Sequence, residues 1–180
     1  MTASQPERRA RIVATARALL ASHGLHGWSV EQVAAGAGCA KGLVHYHFGT
    51  RAALLTAVVE ELARGRMARR CAALAPRGTA ALDALWVVLR EDASAGVSRA
   101  WLEAGLDGAA EIRRVMAPLD GELQQFAAAS SAAMELPQLS PGRAATLLLL
   151  LDALEAALVR GAPAAEVREA YDRVWLGMME

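Results

Sequence analysis

The segment from Ser29 to Phe48 constrains the fold of this chain more than any other part of the sequence. It has the pattern of two helices of only about two turns each, separated by the glycine-rich run 36–38. Ser29 and Gln32 have the spacing of a capping box, which predicts where the first of these helices begins. Gly38 can adopt the positive backbone angle that a sharp turn between helices requires. The pattern predicts a helix-turn-helix flanked by helices on both sides.

The composition favours helices throughout the chain. Ala and Leu supply 42 and 25 of the 180 residues, whereas Ile, Val and Thr supply 2, 13 and 6. Strong helix formers dominate and β-branched residues are scarce, so an all-α fold is predicted. The periodicity between Gly and Pro breakers gives about nine helices, four of them before a break at residues 76–78. The other five are expected at about 79–95, 98–107, 109–134, 141–160 and 163–179, with a kink at Pro118.

Charge is distributed unevenly although the formal net charge is zero. Residues 1–70 contain ten Lys or Arg and four Asp or Glu, whereas residues 71–180 contain nine and fifteen. The basic N-terminal part indicates a polyanionic partner, and an ordinary solvated surface is the plainer alternative. No signal peptide is recognised, and no apolar run approaches the roughly 20 residues of a membrane span. A soluble, cytoplasmic protein that does not enter the membrane is therefore predicted.

The second short helix is expected to have a buried side and an outward side. Val44 and Phe48 lie four residues apart and would hold the helix on the core. The side that then faces outward carries hydrogen-bond donors and small residues: Lys41, Gly42, His45 and Tyr46. Such a face is typical of a helix that enters the major groove of DNA and touches the phosphates along its rims.

The run from Val33 to Leu54 resembles the head signature of the TetR family of regulators. It contains an Ala-Gly turn, a Lys-Gly pair, an aromatic-His-Phe segment and a basic residue before a fourth helix led by Leu. The resemblance extends from about Arg9 to Leu62, and the rest of the chain is similar only in architecture. Three positions depart from the usual pattern: Ala40 replaces Ser or Thr, His45 replaces Tyr, and Leu43 replaces a small polar residue. An operator sequence therefore does not transfer from any relative.

The resemblance implies a sequence-specific DNA-binding transcriptional regulator, a repressor that a small molecule releases from its operator, and not an enzyme. It implies a three-helix helix-turn-helix domain over 1–50, a connecting fourth helix and boundary over 51–77, and a helical effector-binding and dimerisation domain over 78–180. Transferred position by position, it assigns base-edge or groove contacts to Lys41, Gly42, Leu43 and His45. It assigns phosphate contacts to Ser29, Tyr46, His47 and Arg51. Near the N-terminus, Arg8, Arg9 and Arg11 either add charge near the DNA backbone or the minor groove, or are part of a frayed, solvated end.

Two further surfaces are expected in the C-terminal domain. The resemblance implies a small-molecule pocket, although ordinary core packing would explain the same large side chains; the candidates are Trp86, Trp101, Glu103, Met116 and Phe126. Wide apolar stripes on the last two helices predict either a large helical core or a homodimer, and a homodimer would read a near-palindromic operator on double-stranded DNA. The stripe residues assigned to the dimer interface are Leu147, Leu151, Leu154, Leu158, Tyr171, Val174 and Trp175.

Metal and redox roles have weaker support. His45 and His47 would lie on different faces of one helix, which argues against a metal site. Cys39 and Cys71 are too far apart in the sequence to suggest a disulfide framework or a zinc site. Cys39 lies in the turn beside the outward-facing helix, where a redox sensor is conceivable, but a buried core thiol is the favoured interpretation.

Catalysis also has little support. The pairs Asp152 with Glu155 and Glu103 with Asp107 have the spacing of one helical face, but solvated carboxylates explain them. No phosphate-binding loop, nucleophile elbow or zinc-protease motif is present, and no cofactor is predicted. A helical interaction module without DNA binding is the remaining alternative, and the basic and aromatic set between Lys41 and Arg51 argues against it.

Overall fold

The computed structural model describes residues 4–117 and 120–179, and within them every regular element is an α-helix. This confirms the predicted all-α class. The helices are α1 (Gln5–His23), α2 (Val30–Gly36), α3 (Lys41–Phe48), α4 (Arg51–Ala73), α5 (Thr79–Ser94), α6 (Val97–Asp107), α7 (Ala110–Met116), α8 (Asp120–Met134), α9 (Pro141–Val159) and α10 (Ala164–Met179).

The described residues contain one more helix than expected, because the predicted helix 109–134 is two helices. Ala117 closes α7 in an extended conformation, with φ −68° and ψ 120°. A residue before proline is disfavoured in the helical region, so Pro118 ends the helix at Ala117 instead of only kinking it. Pro118 itself lies outside the described residues.

Capping side chains set the first turns of α1 and α2. The Ser4 hydroxyl accepts from the backbone N–H of Glu7 at 3.4 Å, and the Glu7 carboxylate accepts from the N–H of Ser4 at 2.6 Å. Ser29 and Gln32 make the same reciprocal pair at α2, at 3.2 and 2.8 Å. Each pair satisfies two amides that would otherwise have no partner, as a capping box does.

The turn between α2 and α3 is built on Gly38, which has φ +63°. Its own N–H donates to the carbonyl of Ala35 at 3.1 Å, and the N–H of Cys39 donates to Ala34 at 2.9 Å. These two bonds satisfy carbonyl groups at the end of α2 and turn the chain sharply into α3. The predicted helix-turn-helix, with α1 before it and α4 after it, is therefore present.

The described chain divides into two compact units. The first, which we call the head unit, comprises Met1–Ala63 and Arg99–Ala117, and the second, the body unit, comprises Arg64–Ser98 and Pro118–Glu180. Residues 99–117, expected in the C-terminal domain, thus group with the N-terminal helices. The functional limits at residues 50 and 77 stay a prediction. Helix α4 contributes its first half to the head unit and its second half to the body unit.

Each unit has its own apolar core. In the head unit, the apolar stripe of α4 is buried throughout: Leu54, Leu55, Val58, Val59 and Leu62. In the body unit, α5, α8, α9 and α10 enclose a core that includes Leu85, Phe126, Leu147, Leu151, Tyr171 and Trp175. Burial of each such side chain contributes about 1.5–3 kcal/mol, so these two cores supply the main stabilisation of the helices.

A buried ionic cluster joins α4 to α9 inside the body unit. Arg66 donates to Glu155 at 2.7 Å and to Asp152 at 2.8 Å, and Arg70 donates to the same two carboxylates at 3.0 and 2.6 Å. Glu155 is only 1% exposed, so the expectation that this carboxylate is solvated was wrong. Removing one partner of such a cluster would leave a buried charge uncompensated.

Arg69 extends the cluster to α5. It donates to Glu91 at 2.6 Å and to Asp92 at short range. Asp92 is fully buried, and burial raises the pKa of its carboxyl group more than the neighbouring Arg69 lowers it. Its Oδ2 atom is buried and has no hydrogen-bond partner in the described part of the chain.

Among the described helices, none combines the length and the hydropathy that crossing a bilayer requires.

Candidate nucleic-acid interface

Helix α3 presents one side to the core and the other to solvent, as its sequence predicts. Val44 is 2% exposed and anchors the helix. Phe48 is half-buried, and the guanidinium of Arg9 lies 5.0 Å from the centre of its ring. Lys41, Gly42, His45 and Tyr46 are exposed. The exposed face therefore offers cationic and neutral hydrogen-bond donors around a glycine that lets another molecule approach the backbone.

His45 is held in one orientation by the end of its own helix. Its Nδ1 atom lies 3.1 Å from the carbonyl oxygen of Gly49, which follows α3 with φ +69°. A carbonyl oxygen can only accept, so Nδ1 carries the hydrogen. In the neutral ring, Nε2 is then left as an acceptor, and it could receive a hydrogen bond from an amino group on a base edge.

Tyr46 and His47 are neighbours with different surroundings. Tyr46 is 71% exposed, and its hydroxyl oxygen accepts from the amide of Gln5 at 3.1 Å, which leaves its own hydrogen to donate. The His47 ring lies edge-on to Tyr46, with centroids 5.4 Å apart, and its Nε2 is buried with no partner in the described residues. Nε2 of His47 is therefore not available to a phosphate in this arrangement, and the phosphate contact that the resemblance implied for His47 stays a prediction.

Ser29 and Arg51 are both already engaged within the head unit. The Ser29 hydroxyl accepts a capping bond but keeps its hydrogen for a phosphate oxygen. Arg51 donates to the carbonyl of Leu25 at 2.8 Å, and its guanidinium lies 4.2 Å from the centre of the buried Trp28 ring. Arg51 thus fastens the connection between α1 and α2 to α4, which the sequence did not indicate. Its phosphate contact stays a prediction.

Leu43 faces a groove beside the helix-turn-helix. The groove has a volume of about 360 Å³ and is lined by Arg8, Arg11, Ile12, Ala37, Gly38, Cys39, Ala40 and Leu43. Leu43 is half-buried there, so only part of it is available to a base. Cys39 is a free thiol. It is only half-buried, whereas a fully buried core thiol was expected. Two arginines at this groove place positive charge next to the first turn of α3.

Lys41 forms an ion pair that sequence reasoning missed. Its Nζ atom lies 2.5 Å from Oε1 of Glu31, the second residue of α2. The hydrogen bond from Lys41 lowers the pKa of Glu31 to about 2. Both side chains are more than half exposed, so the pair faces solvent, as His45 and Tyr46 do.

The predicted effector-pocket residues fall into two groups. Trp86 and Phe126 belong to the core of the body unit. Trp101, Glu103 and Met116 lie in the head unit, where the Glu103 carboxylate accepts from the N–H of Leu25 at 2.6 Å. A cavity inside one unit cannot be lined by all five, and the Glu103 carboxylate is already engaged by the main chain.

The predicted dimer residues also need correction. Leu147, Leu151, Tyr171 and Trp175 are each at most 1% exposed, so they are enclosed by their own chain and leave no surface for a partner. The half-buried positions Leu154, Leu158 and Val174 stay candidates. The large apolar side chains exposed on α9 and α10 are instead Leu149, Leu150 and Leu176, at neighbouring positions of the same helices.

Comparison with known proteins agrees with the head sequence and with the fold. Residues 12–58 match the family model described as bacterial regulatory proteins, tetR family. A search of curated proteins gives no significant match. Among solved structures, a transcriptional regulator from Rhodococcus sp. Rha1 superposes with a TM-score of 0.72 at 22% identity, and the match covers 95% of both chains.

Two other solved structures extend this likeness. The multidrug binding protein EbrR, complexed with imidazole, has a TM-score of 0.67 and 26% identity, over 94% of this chain and 95% of EbrR. A TetR transcription regulator from Haloarcula marismortui has a TM-score of 0.69 and 16% identity, over 97% and 98% of the two chains. Residues 12–58 of the chain thus match the tetR family of bacterial regulatory proteins, and the described chain has the fold of TetR-family transcriptional regulators.

Proposed function

We propose that this protein is a cytoplasmic repressor that binds a near-palindromic operator as a homodimer and leaves it when a small molecule binds. The observation that carries the DNA-binding part is the exposed face of α3, where Lys41, His45 and Tyr46 surround Gly42 above the buried Val44. Lys41 and Tyr46 can donate to acceptors of the major groove and its flanking phosphates, and Nε2 of His45 can accept from an amino group on a base edge.

Three side chains proposed to contact DNA are already oriented by bonds within the protein, which supports a sequence-specific role. His45 is bonded to Gly49, Tyr46 to Gln5 and Lys41 to Glu31. A side chain that is already oriented loses less conformational entropy when it meets a base or a phosphate. We therefore assign base contacts to Lys41, Gly42 and His45 and phosphate contacts to Ser29 and Tyr46.

The exposed leucines of α9 and α10 support the homodimer. Leu149 and Leu176 are 70% and 57% exposed, and they lie on two successive helices of the body unit. If a second copy of the chain covered both leucines, apolar surface would be removed from water. A symmetric dimer would present two α3 helices to half-sites about 34–36 Å apart.

The effector is the part of the proposal that rests on likeness. EbrR is described as a multidrug binding protein and was solved with imidazole. We extend small-molecule binding to this chain, with the body unit as the site. Release of DNA then requires a ligand that binds the DNA-free form more tightly, typically by about 1–3 kcal/mol in coupled systems.

Selection of duplexes from a random library by the full-length protein tests the proposal. We expect an inverted repeat to be enriched and its affinity to fall steeply between about 50 and 200 mM salt, as counterion release demands. A chain that enriches no sequence and shows no salt-dependent binding would instead be the interaction module considered above.

A further inference from the structure

Glu31 and Lys41 are the single carboxylate and the single ammonium of the helix-turn-helix between residues 29 and 49. They come from different helices, since Glu31 lies in the first turn of α2 and Lys41 is the first residue of α3. Their 2.5 Å contact therefore spans the turn on its solvent side. Each charged group is therefore paired with the one opposite charge that the motif contains.

An exposed ion pair of this kind orients a side chain more than it stabilises the fold. In water the pair is screened by solvent and contributes little to the free energy of folding. It does use one of the three N–H donors of Lys41, so the direction of the other two is restricted. Because water is displaced when α3 enters a groove, the attraction between the two groups strengthens on the DNA.

The pair also alters how Lys41 meets a polyanion. A free ammonium binds phosphates as a point charge and displaces a counterion, whatever the base sequence. An ammonium that keeps its carboxylate partner belongs to a pair with no net charge, so it displaces no counterion from the DNA. It can still donate to the O6 and N7 acceptors of guanine. Since the pKa of Glu31 is about 2, the carboxylate stays ionised under all ordinary binding conditions.

We propose that Glu31 is a positioning residue for operator recognition, which holds Lys41 as a directed donor to a guanine edge and keeps it from acting as a non-specific phosphate contact. The proposal rests on the DNA-binding function proposed above. It assigns to an acidic residue a favourable part in the specificity of a DNA-binding surface. The competing explanation is that Glu31 merely repels the phosphate backbone.

A double-mutant cycle separates the two explanations. The probes are the duplex that the wild-type protein selects from a random library and a shuffled duplex of the same composition. The variants are Glu31→Gln, Lys41→Met and the double substitution. Glu61→Gln is the matched control, because Glu61 pairs with Arg17 at 3.7 Å within the head unit and losing it changes the net charge equally. Circular dichroism checks that every variant is folded.

We expect Glu31→Gln to bind the shuffled duplex more tightly and to steepen the salt dependence by about one unit, because Lys41 is freed for a phosphate. The ratio of the affinities for the selected and the shuffled duplex should fall by roughly five-fold or more, which is the discrimination that one base contact supplies. In the Lys41→Met background, Glu31→Gln should leave that ratio unchanged. Glu61→Gln should alter neither the ratio nor the salt slope.

Two results would overturn the proposal. If Glu31→Gln tightens both duplexes by the same factor and does so in the Lys41→Met background too, Glu31 acts by simple repulsion. If Glu31→Gln leaves the ratio of the affinities for the selected and the shuffled duplex unchanged, Lys41 needs no positioning by Glu31. Both results leave DNA binding intact. A wild-type protein that selects no sequence would instead remove the proposed function, and the inference with it.

Discussion

Oε2 of Glu103 lies 2.6 Å from the backbone nitrogen of Leu25 and accepts its hydrogen, which joins α6 to the connection between α1 and α2. Gly24 makes this approach possible, because a Cβ atom there would lie 2.8 Å from the same oxygen. Arg99, one turn before Glu103, donates to the carbonyl of Ala21 at 2.7 Å. Two side chains of α6 thus bind main-chain groups on either side of the end of α1.

Substitution of Glu103 should destabilise the head unit. We expect Glu103→Ala to lower the free energy of unfolding by about 1.5–3 kcal/mol, because a partly buried amide loses a charged acceptor. Glu103→Gln should recover part of this loss, since its carbonyl oxygen can still accept. Urea denaturation measures both. Glu60→Ala, which removes an exposed carboxylate from α4, is the control; an equal effect there would show that the contact with Leu25 contributes nothing.

Arg51 should behave as a structural residue. We expect Arg51→Ala to lower the free energy of unfolding by about 1–2 kcal/mol, through loss of the bond to Leu25 and of the contact with the Trp28 face. Its neutral partners leave the guanidinium charged, so the salt slope of DNA binding separates a purely structural role, with the slope unchanged, from a phosphate contact. Denaturation and binding titrations in parallel test this. A salt slope reduced by about one unit would establish the phosphate contact that the family resemblance implied.

Asp92 should make stability depend on pH. Its pKa is raised by burial, against the attraction of Arg69, Arg66 and Arg70 on α4 and with the added repulsion of Glu155 on α9. A carboxyl group of this kind stabilises the fold fully below its unfolded pKa of about 3.9, and the contribution is lost as the pH rises through the folded value.

Asp92→Asn should remove that dependence, because asparagine is uncharged and can still accept from Arg69. As the pH rises above the unfolded value of about 3.9, the wild-type protein should lose stability relative to the variant until the folded carboxyl group has ionised. Urea denaturation across this range gives the difference directly. A difference that is constant with pH would mean that Asp92 has the same pKa in the folded and unfolded chains.

Glutamates at Leu149 and Leu176 should separate the proposed dimer without unfolding it. Both side chains are exposed, so the new charges are costly only where a partner covers them. Light scattering should report a monomer whose circular dichroism is unchanged. Leu106→Glu, at an 86% exposed leucine of the head unit, should remain dimeric. By contrast, Leu151→Glu should unfold the body unit, and a folded Leu151→Glu monomer would contradict the burial described here.

The features that could be predicted from the sequence are the ones that depend on near neighbours in the chain. Ser4, Ser29 and Thr50 cap helices through residues three positions away, so the starts of α1, α2 and α4 could be predicted from spacing alone. The sidedness of α3 followed from the four-residue interval between Val44 and Phe48. Each signal lies within a turn or two of the structure that it specifies.

The features that could not be predicted depend on partners far away in the chain. Glu155 meets Arg66 across 89 positions, and nothing in its own helix distinguishes it from a solvated glutamate. The periodicity of α9 identifies an apolar side that includes Leu147 and Leu151, but not whether that side meets its own core or a second chain. Likewise, the spacing within α2 and α3 does not reveal that Glu31 reaches Lys41 across the turn.

The division of α4 between the two compact units has a consequence for local opening. Residues 51–63 pack in the apolar core of the head unit, and residues 64–73 are held by the ion pairs and core of the body unit, so we expect each segment to open with its own unit. Hydrogen exchange in this continuous helix should then be governed by two separate opening free energies. Denaturant concentrations that open one unit before the other would leave α4 half exchanged, with the step in protection falling between Ala63 and Arg64 and not at either end of the helix.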